Sequence, residues 1–331
     1  MKKRLLLFIS VSIAAALLTS GCGGLHISVG ADSKVPLKEF TIQGREKGKV
    51  LVIPVTGFIS DVPRKGFLRE RASMVEEIVS QFRVAEKDDE IKAVLLEINS
   101  PGGSATASDI LYHEILDFKE RTKAKIVAAL MDVATSGGYY IALPADRIVA
   151  HPTTITGSVG VIFIGPKVGG LMDKLGVAVE VNKSGKEKDM GSPFRPSTEE
   201  EQRILQGLTD KLGRRFLDLT ARHRKMDQAA LTGISSARIY LAEEALQLKL
   251  IDEIGYLDKA ISVARELAGL SKEARVVVYR RSKYPNDNIY NTSASFYNSE
   301  GLSLVDLNLP EIIPNLHPGF YYLWAPGASG N

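Results

Sequence analysis

Ser136 has the sequence surroundings that best suit nucleophilic chemistry in this chain. It directly precedes Gly137 and Gly138 and an apolar stretch that can form a helix, and it follows a β-like segment ending at Leu130. Two glycines let another chain approach the backbone closely, and a helix start supplies unpaired N–H groups and a partial positive charge. A hydroxyl here could attack a carbonyl beside an oxyanion-binding site. The alternative is that Ser136 caps a helix, as serines commonly do.

Such a nucleophile needs a base, and histidine is the usual one. The five histidines lie in terminal segments, in charged helical stretches or after one strand, and none stands in a metal-ligand pattern: His26, His113, His151, His223 and His317. The sequence also lacks the G-x-S-x-G motif of α/β-hydrolases. A histidine-dependent hydrolase is therefore disfavoured, and no metal or cofactor is expected.

Lysine is the alternative base, and it must lose its proton to act. A free lysine has a pKa of about 10.4, so work near neutrality requires a shift of roughly 3 units, or about 4 kcal/mol. Burial in an apolar site can supply that shift. A polar loop at residues 182–196 offers Lys183, Lys186 and Lys188. The residues alone do not choose among them, and each could be an ordinary solvated lysine.

Four linked segments resemble the signal peptide peptidase A family of Ser/Lys-dyad serine proteases, in its short, single-repeat bacterial form. The similarity extends from about Gly48 to Leu270. It implies an α/β, crotonase-like (caseinolytic-protease-like) fold with repeated βαβ units and a helical carboxy-terminal region. The segments are INSPGG at 98–103, TSGGYY at 135–140, TGSVGV at 156–161 and SGKEKD at 184–189, followed by Ser192-Pro193-Phe194.

The resemblance assigns roles by matching position. Ser136 would be the nucleophile, and Lys188, immediately before Asp189, the general base, whereas Lys186 stands at a position that does not match. It also implies a homo-oligomeric ring, octameric in the short forms, in which one protomer's lysine completes its neighbour's site. Oxyanion donors and a serine that orients the lysine are implied at Gly103, Gly137 and Ser158.

The amino terminus predicts export. Basic residues precede an apolar run at residues 5–18, which is shorter than the roughly 20 residues of a membrane-spanning helix. The following LTSGC resembles a bacterial lipoprotein signal cut before Cys22, the only cysteine, although Thr19 departs from the usual leucine. Cleavage elsewhere, or a retained short anchor, is the alternative. We expect a protein of the bacterial cell envelope held at a membrane by lipid, on the periplasmic side if there are two membranes.

Composition and periodicity divide the chain. We predict a signal peptide at 1–21, a tether at 22–47, a protease domain at 48–275 and a tail of uncertain order at 276–331. Without Lys2, Lys3 and Arg4 of the leader, the 42 basic residues fall to 39, equal to the acidic ones. This neutral balance argues against nucleic-acid binding.

Strands alternate with helices through the middle of the chain, which favours βαβ units and a largely parallel sheet. Buried strands are expected at residues 49–55, 92–99 and 125–130, and further strands at 147–150, 159–164 and 177–181. We also expect a capping box of Ser197 and Glu200 to begin a long helix.

The sequence thus favours a membrane-tethered serine endopeptidase that hydrolyses hydrophobic peptides such as released signal peptides. Two alternatives stay open. A crotonase-type acyl-thioester enzyme would use a similar oxyanion site, and a non-catalytic lipoprotein scaffold would use the same ring.

Overall fold

The computed structural model describes residues 35–65, 70–284, 286–291 and 318–324. The predicted signal peptide, Cys22 with its predicted lipidation and the first part of the predicted tether lie outside these residues. None of the helices in the described ranges is long and apolar enough to cross a membrane.

Fourteen strands and eight helices make up the described chain. The strands are β1 Lys38–Gln43, β2 Glu46–Thr56, β3 Arg64–Lys65, β4 Glu70–Arg71, β5 Ile91–Ser100, β6 Gly102–Ser104, β7 Lys125–Thr135, β8 Arg147–Ala150, β9 Ile155–Gly157, β10 Ile162–Ile164, β11 Ile239–Leu241, β12 Glu253–Ile254, β13 Ala274–Arg280 and β14 Gly319–Leu323. The helices are α1 Met74–Ala85, α2 Ala105–Thr122, α3 Gly137–Ala142, α4 Gly169–Leu175, α5 Glu199–Arg224, α6 Gln228–Ile234, α7 Ala242–Gln247 and α8 Leu257–Leu267.

A largely parallel sheet forms the centre of the fold, with strand order β1-β13-β2-β5-β7-β8-β12. Within it β13, β2, β5, β7, β8 and β12 run parallel, and β1 is antiparallel at one edge. Its central strands read as continuous apolar runs because both faces are covered. Helices α1, α2 and α3 pack on one face and α8 on the other. The predicted α/β fold with repeated βαβ units is confirmed.

Beyond the sheet's main path, β7 continues past β8 and pairs in parallel with the short strand β9, which in turn pairs with β11. A second, antiparallel sheet has the order β10-β14-β6. Its strand β6 begins at Gly102, with only Pro101 between it and the end of β5. The two sheets therefore meet where β5 and β7 end.

Three local expectations differ from the structure. The capping box that begins α5 is Thr198 with Glu201, one residue later than predicted. Residues 177–181 form no strand, and their three valines are exposed. The boundary predicted at residue 275 falls inside β13, and β14 lies within the predicted tail.

Candidate active site

Ser136 stands at the turn between β7 and α3, and its side chain does not cap the helix. The residue is 1% exposed and has φ of 52° and ψ of −116°. A positive φ is uncommon for a residue with a side chain and marks a turn that its surroundings impose. The helix-cap interpretation is therefore wrong. The hydroxyl Oγ instead lies 3.5 Å from the Gly160 carbonyl oxygen.

The pairing of β7 with β9 brings a second serine beside the first. Thr135 is the register partner of Gly157, so the residues that follow them, Ser136 and Ser158, leave the two strands side by side. The Ser136 N–H donates to the Gly157 carbonyl at 2.8 Å. Ser158 also has a φ of 52° and is 8% exposed. Two buried hydroxyl-bearing residues in left-handed backbone thus share one corner of the fold.

Glycines form the opposite wall of this corner. A Cβ on Gly102, whose φ is +102°, would lie 2.7 Å from the Gly137 nitrogen, so strand β6 passes directly against the start of α3. A Cβ on Gly103 would collide with the Ile59 backbone, since Ser104 N–H donates to the Ile59 carbonyl at 3.0 Å. A side chain at Gly102 would push β6 away from the Ser136 turn, and one at Gly103 would push it away from Ile59. The structure therefore places Ser136, Gly137 and Ser158 side by side, and Gly103 follows the glycine that contacts Gly137.

Ser100 holds the glycine turn in place, a role that the sequence did not indicate. Its Oγ donates to the Gly57 carbonyl at 2.7 Å and accepts from the Gly102 N–H at 3.1 Å. The residue is fully buried. The sequence feature that could have indicated this role is a small residue with a hydroxyl group immediately before Pro-Gly-Gly.

The two tyrosines after the glycine pair anchor α3. The Tyr139 hydroxyl donates to the Leu250 carbonyl at 2.7 Å, and the Tyr140 hydroxyl donates to Asp109 Oδ1 at 2.6 Å. Burial is the main reason that the pKa of each phenol lies far above its usual value. Both therefore stay protonated and position the helix.

The lysine loop contrasts with this buried corner. Lys183 pairs with Asp189 at 2.6 Å, and the exposed Lys186 lies 3.4 Å from Glu187. Lys188 is exposed, and among the described residues its ammonium has neither a hydrogen-bond nor an ion-pair partner. Ser136 and Lys188 are thus not joined by a contact within the described chain.

An ion-pair cluster fixes the end of that loop. Arg195 donates to Asp189 at 2.8 Å and to Glu201 at 2.9 Å. Its hydrogen bonds lower the pKa of the Asp189 carboxyl far below its usual value and that of Glu201 to about 2. Because Glu201 also accepts from the Thr198 N–H at 2.8 Å, the cluster fixes where α5 begins.

None of the three histidines in the described ranges makes a hydrogen bond to Ser136. His223 Nε2 bonds the Tyr112 hydroxyl at 2.7 Å, and burial is the main cause of its lowered pKa. His151 pairs with Thr153 at 2.9 Å, and His113 is exposed. His26 and His317 lie outside the described residues.

Strand β14 is a part of the site that sequence reasoning missed. It lies between β6 and β10 and pairs antiparallel with both. Its sequence, GFYYL, is rich in the aromatic residues that strands favour. That composition predicts a strand, but it does not identify the strands with which β14 pairs.

Two family models match overlapping parts of the chain. The model of peptidase family S49 matches residues 118–271, and the model of Clp protease matches residues 69–155. Together with the parallel βαβ sheet, the second match assigns the fold to the crotonase-like, caseinolytic-protease-like class. A solved structure, a ClpP1 mutant from Listeria monocytogenes, aligns with a TM-score of 0.41 at 15% identity, over 63% of this chain and 94% of that chain.

Curated relatives include several proteases. A protein named as the signal peptide peptidase SppA of Enterococcus faecium is 34% identical over 74% of this chain and 69% of its own length. A protein named as a protease from Synechocystis is 35% identical over 68% and 76% of the two chains. Protease 4 of Haemophilus influenzae is 32% identical over 73% of this chain, which spans only 38% of that protein. The chain therefore belongs to the signal peptide peptidase A family and is a serine protease.

Proposed function

We propose that this serine protease is an endopeptidase that cleaves hydrophobic peptides with a Ser/Lys dyad, in which Ser136 is the nucleophile and Lys188 the general base. The observation that carries the proposal is the buried Ser136 turn. Its hydroxyl makes no helix-capping bond, and the next residue, Gly137, lies directly against Gly102 of the neighbouring glycine turn. A nucleophile needs a hydroxyl that is not used as a helix cap and that lies close to backbone donors.

The mechanism requires two changes of protonation at one lysine. Neutral Lys188 would take the Ser136 proton as Oγ attacks a peptide carbonyl, and would then give that proton to the departing amine. The N–H groups of Gly103 and Gly137 would stabilise the oxyanion, each contributing about 3 to 4 kcal/mol in acyl transfer. Water would next attack the acyl-enzyme with Lys188 again as base. The nucleophile, the base and the oxyanion donors of this reaction all come from the protein, and the second attacking group is water.

Ser158 would orient the lysine. The β7–β9 register places it next to Ser136, and its backbone is fixed at both ends: its N–H donates to the Arg238 carbonyl and its carbonyl accepts from the Gly160 N–H, both at 2.9 Å. A hydroxyl held in this way can accept from an ammonium or donate to an amine. It would thus keep the base near the nucleophile throughout the reaction.

The exposure of Lys188 in a single chain suggests that assembly completes the site. An exposed ammonium is fully hydrated, and removing it from water favours the neutral form that a base requires. We therefore propose a homo-oligomeric ring in which the loop of one protomer lies against the Ser136 corner of the next. Active sites would then exist only at the interfaces between protomers.

Substrates and location complete the proposal. Released signal peptides would fit a groove bordered by strands, because apolar peptides can bind there in extended form. Lipid attached at Cys22 would hold the protein at a membrane of the bacterial cell envelope, where such peptides are left after export. Membership of a serine protease family argues against both the crotonase-type enzyme and the non-catalytic scaffold.

A serine-directed fluorophosphonate tests the proposal. The probe should form one covalent adduct on the assembled protein, and peptide mapping should place it on Ser136. Ser136→Ala should abolish labelling, whereas Ser235→Ala, a change at an exposed serine, should leave it intact. An unlabelled Ser136 in the intact assembly, or labelling that survives Ser136→Ala, would reject the nucleophile assignment.

A further inference from the structure

We propose that Asp109 is a positioning residue for the reaction: its carboxylate holds helix α3 so that the Gly137 N–H faces the carbonyl attacked by Ser136. It acts through Tyr140, whose hydroxyl donates to it. This inference deepens the proposed function and rests on it, since it takes the Gly137 N–H as an oxyanion donor. Three observations support it, namely the small size of α3, the contacts of Tyr140 and the helix on which Asp109 lies.

Helix α3 has few means of fixing its own orientation. It is only six residues long, Gly137–Ala142, and the side chain of the preceding Ser136 does not cap it. So short a helix is unstable by itself, and its first two residues are glycines, which offer no side chain for packing. The contacts of the next two residues, Tyr139 and Tyr140, therefore decide where the Gly137 N–H points.

Tyr140 is held at both its backbone and its hydroxyl. Its N–H donates to the Ser136 carbonyl at 2.8 Å, and its hydroxyl donates to Asp109 Oδ1 at 2.6 Å. The residue is fully buried, and its ring packs edge-on against Tyr112 of α2 and Phe216 of α5, with centroids 5.3 and 4.8 Å apart. Tyr140 thus joins the Ser136 turn to Asp109 through two hydrogen bonds.

The charge of Asp109 strengthens this connection. A hydrogen bond to an ionised acceptor is about twice as strong as a neutral one, so the carboxylate holds the Tyr140 hydroxyl more firmly than an amide would. Arg215 of α5 donates to the same Oδ1 at 2.7 Å. Both side chains of this ion pair are exposed, so we expect it to aim the carboxylate rather than to supply much stability.

Asp109 lies on the helix that begins beside the second proposed donor. Strand β6, which contains Gly103, leads directly into α2, and its last residue, Ser104, caps that helix. One turn further, Ser108 Oγ donates to the Ser104 carbonyl at 2.9 Å, and a Cβ on Gly137 would lie 2.5 Å from that oxygen. Asp109 therefore ties α3 to the same helix that follows Gly103, and so keeps the two proposed donors at a constant separation.

Loss of this connection should slow the reaction without weakening substrate binding. Oxyanion hydrogen bonds are stronger in the transition state than in the bound substrate, so misplacing a donor lowers kcat and leaves KM nearly unchanged. A displacement of about 1 Å can cost roughly 100-fold in rate. A role in stability alone would instead lower the unfolding temperature and leave kcat per folded protomer unchanged.

The test compares Asp109→Ala, Tyr140→Phe and the double variant with the parent, using a fluorescence-quenched apolar peptide at a temperature where all are folded. We expect each single change to lower kcat at least about tenfold and to leave KM nearly unchanged. The double variant should be no worse than the more affected single one, because both changes break the same hydrogen bond. Asp117→Ala is the matched control, since it removes a carboxylate that pairs with Arg121 on the same helix, and it should keep the parental kcat.

Parental kcat in folded Asp109→Ala or Tyr140→Phe protein would overturn the inference, as would losses in kcat that multiply in the double variant. Thermal unfolding shows which variants are folded, and Tyr140→Phe, which removes a single oxygen atom, decides alone should Asp109→Ala fail to fold. Hydrolysis that survives Ser136→Ala would reject the proposed function and this inference with it. Hydrolysis that requires Ser136 but keeps its parental kcat in the Asp109 variant would reject this inference alone.

Discussion

The serine turn and the lysine loop differ in how completely one chain builds them. The corner around Ser136 is buried, and strand register and glycine contacts fix it. The loop around Lys188 is exposed, and its ordered ion pairs involve other residues. A hydroxyl nucleophile can be prepared by backbone geometry alone, whereas a lysine base needs removal from water. Under the proposed function, the fold of one chain would prepare the serine half of the dyad, and assembly would supply the lysine half.

Removing either half of the dyad should have the largest effect. Ser136→Ala and Lys188→Ala are each expected to lower kcat/KM for peptide hydrolysis by at least about 10³-fold. When two residues act as a catalytic unit, removing either one removes nearly all of the activity that they provide together. The double variant should be little worse than either single one. Lys186→Ala is the matched control in the same loop and should retain near-normal turnover. Near-normal turnover in Lys188→Ala would break the dyad assignment.

Dilution tests, without any mutation, whether the lysine loop of one protomer acts at the serine turn of its neighbour. If a neighbour's loop completes the site, hydrolysis per protomer must fall as the ring dissociates, because the lysine returns to water. Activity and mass are measured across the same dilution series, the latter by mass photometry. The two curves should coincide. Full activity in a confirmed monomer would contradict the shared site.

Adding a side chain to the glycine turn should destabilise the structure around Ser136. Gly103→Ala directs a methyl group into the Ile59 backbone, and we expect a loss of about 1 to 3 kcal/mol in unfolding free energy together with reduced turnover. Gly207→Ala is the control, since a Cβ there meets nothing within 4 Å and alanine favours the helix by about 0.5 to 1 kcal/mol. Chemical denaturation measures both. Equal stability of the two variants would show that β6 can move away.

Removing an ion pair of the lysine loop should have the smallest effect, a loss of stability that depends on pH. The folded pKa of Glu201 is lowered to about 2 from an unfolded value of about 4.3, so its contribution is fully present above the unfolded value. That contribution is lost as the pH falls towards the folded value. Glu201→Gln should therefore lower the unfolding temperature at neutral pH, and its difference from the parent should shrink as the pH falls below about 4. A difference that does not change with pH would contradict this role of Arg195.

The sequence predicted the parallel sheet because its strands are continuous apolar runs, and it predicted a turn at Ser136 from the glycines that follow. It could not reveal β14, since that strand pairs with Gly102–Ser104, more than 200 residues away. The predicted capping box is one residue early because Ser197 with Glu200 and Thr198 with Glu201 both match the capping-box pattern. The Arg195–Glu201 ion pair, which reaches across from the loop, decides between them. Val177, Val179 and Val181 have the composition of a strand but no partner strand in the described chain.

Complementation between two inactive variants tests the central claim most directly. Co-expressed Ser136→Ala and Lys188→Ala chains are purified as mixed rings, and peptide hydrolysis per protomer is compared with that of the parent. If each site takes its serine from one protomer and its lysine from the next, random mixing should restore about one quarter of the parental activity. No recovery in rings shown by mass to contain both chains would contradict a dyad shared between protomers.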